Sequence, residues 1–62
     1  MKIQINEVWN NNGRSLKLAE IEVTNPAIAR TQVNMWIRAN RPDLSVATGL
    51  YQHGFHAVAV QP

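Results

Sequence analysis

The two histidines, His53 and His56, stand three residues apart around Gly54-Phe55, and with Asp43 they would supply three ligands to a zinc ion. A His-x-x-His pair in a loop-to-strand segment lacks the one-face spacing of a helical pair, so a structural or surface role is expected and no metal site is assigned. Ser15 and Ser45 fall in turn contexts with no base nearby, which leaves no activated nucleophile. Glu7, Glu20 and Glu22 read as cross-strand charge partners, not as a catalytic carboxylate pair. Gly13, Gly49 and Gly54 are isolated, so no phosphate-cradling loop is present. The expectation is a non-catalytic chain without a cofactor.

The basic residues say more. Six Lys and Arg against four Asp and Glu give a net charge of +2, and four of the six are arginines. Arginine forks onto carboxylate or phosphate with two parallel hydrogen bonds, which lysine cannot do. Arg30, Asn34, Arg38 and Arg41 recur at the spacing that gathers residues on one side of a helix, and Arg14 with Trp9 stands near a hairpin tip. Three readings share this stripe. It is a solvated face with cations near a helix C-terminus, a contact for the acidic surface of a partner protein, or a contact for nucleic acid. Four arginines would neutralise about four phosphates, for a salt slope of about −3.6, and no aromatic on the stripe offers a base a stacking platform. The modest charge favours a protein partner, with nucleic acid as the alternative.

Positioning these residues falls to few elements. Residues 1–24 read as a β-hairpin: Ile3 and Ile5 alternate with Lys2, Gln4 and Asn6, and the run 16–24 carries Ile21 and Val23. A two-residue Asn12-Gly13 turn would set both isoleucines opposite glutamates. A three-residue loop, 11–13, closed by Asn10 and Arg14, instead pairs Met1 with Val23, Ile3 with Ile21 and Ile5 with Ala19. It also sets Glu7 against Lys17 and Lys2 against Glu22, and gives Gly13 the left-handed conformation such loops need. In this register Val8, Leu16 and Leu18 fall on the face opposite Ile3. Either a bulge re-aims them, or they form a self-association patch that would make the chain a homodimer.

Asn25-Pro26 opens a helix, Asn as cap and Pro in the first turn, and Pro42 closes it after 39–40. Its apolar arc, Met35, Ile28, Ala39, Trp36, Ala29, Val33 and Ile37, centres on Trp36, the expected keystone against the hairpin. Residues 43–54 read as a loop with a short strand possible at Leu50-Tyr51. Residues 55–60 alternate again as a strand, with Val58 and Val60 on one face and Ala57 and Ala59 on the other. The fold class is α+β, ββαβ: a hairpin, one amphipathic helix, and a sheet of three strands or four.

The order of elements, with Ile21-Glu22-Val23-Thr24, the helix bearing Ala27, Ala29 and Arg30, and the closing Gly54-Phe55-His56-Ala57-Val58-Ala59-Val60-Gln61-Pro62, resembles small phage-encoded ββαβ inhibitor proteins. These include the T7-type inhibitors of bacterial RNA polymerase and small anti-CRISPR proteins. The resemblance implies a compact inhibitor or adaptor that binds a host macromolecule. The inhibitor's last strand binds through arginines, whereas Val58 and Val60 stand in the matching stretch here, so no functional residue is carried over.

Sixty-two residues allow a single domain, 1–62, in which an enzyme pocket with its supporting shell is hard to house. With 45% hydrophobic and 16% charged residues the chain is too apolar to be a disordered tail. No apolar run is long enough for a membrane span, so no membrane partner is expected. The alternating N-terminus is unlike a signal peptide, and the expected compartment is the cytoplasm.

Overall fold

A computed structural model describes residues 1–47 and 53–60. The chain runs through β1 (Lys2–Trp9), β2 (Arg14–Glu22), a 3₁₀ turn (Pro26–Ile28), α1 (Ala29–Asn40) and β3 (His53–Val60). Among the described residues the strands form one antiparallel sheet in the order β2-β1-β3. This is the expected ββαβ arrangement, with three strands. No helix of the described residues is long and apolar enough to cross a membrane.

β1 is central, and its odd-numbered residues alternate toward the helix: Ile3, Ile5 and Glu7 are all buried. The open end of the hairpin keeps the expected register, Lys2 opposite Glu22, Ile3 opposite Ile21 and Ile5 opposite Ala19. Met1 and Val23 extend it by exchanging two hydrogen bonds of 2.8 Å. The register then shifts, because Asn6 pairs with Lys17 and Leu18 is left as a bulge. Glu7 therefore stands opposite Leu16, not Lys17, and Trp9 with Arg14 closes a four-residue loop, 10–13, in place of the expected three. Gly13 holds the left-handed φ of 72° that the loop requires. The slip tucks Leu18 against the core margin and sends Lys17 to water, where it meets Glu20 at 2.6 Å, while Leu16 turns to the helix side and stays 50% exposed. Packing Leu18 against the core offsets the loss of a cross-strand ion pair, which contributes only a few tenths of a kcal/mol.

The Asn25 side chain accepts the Ala27 N–H at 3.0 Å, the cap expected of it, and Pro26 begins the first turn. α1 buries Val33 and Ile37 against Ile3, Ile5, Val23, Leu44 and Phe55. Trp36 is half-buried at the margin, so the keystone is the Val33–Ile37 pair, and Ile28 and Met35 stay 40% and 60% exposed. Three strands about 4.8 Å apart are no wider than a single helix, so only a narrow stripe of α1 finds cover.

After α1 the chain turns at Arg41-Pro42-Asp43, drops Leu44 into the core and runs beside β3. There the Phe55 N–H donates to Ser45 O at 2.9 Å and the Ala47 N–H to Phe55 O at 3.1 Å, a single parallel bridge at Val46. The approach is so close that a Cβ on Gly54 would stand 2.2 Å from Ser45 O. The strand expected at Leu50-Tyr51 lies outside the described residues.

Candidate interaction surface

The alternation that buries Ile3 and Ile5 also carries Glu7 inward, to 6% exposure. A buried carboxylate is tolerable only when paired and hydrogen-bonded, and two side chains supply that, Arg41 and His53. Arg41 donates from Nη1 to Oε1 at 3.1 Å and from Nη2 to Oε2 at 3.3 Å, while its Nε and Nη2 hold Asp43 at 3.1 and 3.0 Å. His53 Nε2 lies 2.5 Å from Glu7 Oε2. Hydrogen bonds from Arg41 and then His53 hold the Glu7 carboxyl below its ordinary pKa, against the opposing pull of burial. Arg41 likewise lowers Asp43, and the two carboxylates raise Arg41. An ionised Glu7 only accepts, so Nε2 of His53 carries the shared proton.

One row further along the sheet, Trp9 stands between Arg14 on β2 and His53 on β3. The His53 ring stacks on Trp9, with centroids 5.0 Å apart and planes inclined by 15°, and the Arg14 guanidinium lies 5.0 Å above the indole. Arg41, Arg14 and Trp9 thus belong to one internal network at the hairpin-tip end of the sheet. Arg41 is withdrawn from the helix stripe, since it sits at the C-cap and points back to β1.

What remains of the stripe is Arg30, Asn34 and Arg38, exposed on successive turns of α1. Among the described residues neither Arg30 nor Arg38 forms an ion pair, whereas Lys17 and Arg41 do. Arg30 and Asn34 also form the rim of an open groove of about 600 Å³ between α1 and β3, with Ile3, Val33, Phe55 and Ala57 among its apolar walls.

The residues singled out for self-association are separated. Leu18 packs on the core margin, Leu16 is half-exposed on the helix side, and Val8 faces the opposite side of the sheet beside Ser15. His53 and His56 lie on opposite faces of β3, and His56 reaches the Ala47 carbonyl at 2.9 Å, so the two do not converge as ligands. The role of Glu7 escaped its reading as a ladder partner of Lys17. Its parity with Ile3 and Ile5 was the available sign, because a carboxylate continuing a core-facing alternation calls for an interior cation. Comparison with protein-family models, curated proteins and solved structures finds no match.

Proposed function

We propose that this chain is a small non-catalytic interaction protein that binds an acidic surface of another protein through Arg30, Asn34 and Arg38. A host protein is the partner proposed, in keeping with the resemblance to phage-encoded inhibitors. One observation carries the reading: two arginines two turns apart stand exposed without carboxylate partners among the described residues. Three of the other lysines and arginines are engaged internally, Lys17 with Glu20, Arg41 with Glu7 and Asp43, and Arg14 over Trp9, and among the described residues Lys2 alone shares the unpaired exposure of Arg30 and Arg38. Guanidinium groups held on a rigid helix keep their full donor sets available for a carboxylate-rich partner.

The test is affinity capture from nuclease-treated bacterial lysate, with the native chain beside the Arg30→Glu/Arg38→Glu variant. The expected result is a protein retained by the native form, lost by the variant, and weakened by salt as screening shortens the reach of surface charge. Equal retention by both forms overturns the reading. So does capture of nucleic acid alone from untreated lysate.

A further inference from the structure

Among the described residues β3 is an edge strand, and they guard its edge for only part of its length. The Phe55 N–H and C=O point away from β1, because both are bonded to the 45–47 segment. Backbone groups alternate in direction along a strand, so those of Ala57 and Ala59 point the same way. Among the described residues nothing pairs with them. From Ala57 to Val60 this edge carries no charge, no proline and no bulge. The opposite edge, β2, is defended by Lys17, Glu20 and Glu22 and by the Leu18 bulge. Ala57 and Val58, at the start of this stretch, also line the groove rimmed by Arg30 and Asn34.

We propose that β3 takes up an extended acidic peptide segment of a partner protein as an added strand along Ala57–Val60, with the strand's helix-side residues in the groove and a carboxylate on Arg30. This rests on the protein-binding reading and names the form in which the partner is held. Main-chain bonds to Ala57 and Ala59 would supply affinity, and alternate side chains would supply selectivity. A volume near 600 Å³ is in the range of sites that enclose a ligand's side chains. Charge favours an acidic segment over a second copy of this chain. β3 has no acidic residue to offer Arg30, and pairing β3 with itself would bring two Arg30 side chains to one cleft.

The experiment selects displayed random short peptides on the full chain and measures the winners by fluorescence anisotropy. The key variant is Ala59→Pro, which removes an N–H that faces the open edge and leaves the β1 ladder intact. Enriched peptides should alternate apolar residues with Asp or Glu, shift the Ala57 and Ala59 amide resonances, and lose about tenfold or more in affinity to Ala59→Pro. Should that variant fail to fold, the same peptides N-methylated on alternate residues must lose affinity for the unaltered chain. Selection on Arg30→Glu should drop the acidic preference. The proposal is overturned if no peptide is enriched, if Ala59→Pro or N-methylation leaves affinity unchanged, or if the native chain sediments at twice 7.0 kDa and Ala59→Pro returns it to monomer. A lysate partner lost by the arginine reversal but kept undiminished by Ala59→Pro would sink the edge and spare the helix face.

Discussion

Glu7 shows how one side chain can be legible in position and illegible in role. Alternation with Ile3 and Ile5 fixes which way it points, but its partners are 34 and 46 residues away and met only through the tertiary fold. Its pKa is lowered in the folded state, so its contribution to stability is fully present above the unfolded value near 4.5 and is lost as pH falls through the lower folded value. Glu7→Gln should therefore melt below the native chain at pH 7, leaving Arg41 and His53 with a neutral neighbour. The gap should narrow below pH 4.5, as the native Glu7 also becomes neutral. Thermal melts followed by circular dichroism between pH 7 and pH 2 check this. A gap constant across that range would mean that Glu7 acts by shape alone.

Among the elements, those with local punctuation were readable and those held by distant contacts were not. Asn25-Pro26 and Pro42 bracket the helix because a side-chain cap and a missing N–H act within a few residues. Asn25→Ala should cost about 1 kcal/mol, read as a drop of about 4–8 °C in Tm. The hairpin register could be read from Met1 to Ile5 and not beyond, since charge pairing of a few tenths of a kcal/mol competes there with the packing of Leu18 on the core. The place of Ser45–Ala47 against β3 left one trace, Gly54, whose missing side chain makes room for Ser45 O. Gly54→Ala should push that segment off the edge. The expected cost is about 1–3 kcal/mol in urea denaturation, with faster proteolysis around residue 46. An unchanged midpoint would show that the segment adjusts to a methyl group.

At the scale of the molecule, stability and recognition are carried by different residues, and this separation is testable. A chain of 62 residues has about 3–9 kcal/mol of total stability to lose. Ile5 is fully enclosed on the central strand, so Ile5→Ala should remove about 2–5 kcal/mol and leave much of the population unfolded. Trp36→Ala, at the half-buried margin, should cost less than its size implies. Composition and periodicity favoured the tryptophan because the arc they describe is that of an isolated helix, and the narrow sheet covers only its Val33–Ile37 stripe. The edge position of β3 among the described residues was equally beyond a reading along the chain, since it depends on the order β2-β1-β3. Arg30→Glu/Arg38→Glu touches neither core nor ladder and should keep its unfolding free energy in urea within about 0.5 kcal/mol of native, with the midpoint close to native. Those arginines therefore qualify as recognition residues only if that variant loses its partner while denaturing at the native midpoint. A variant that loses both would return them to the scaffold.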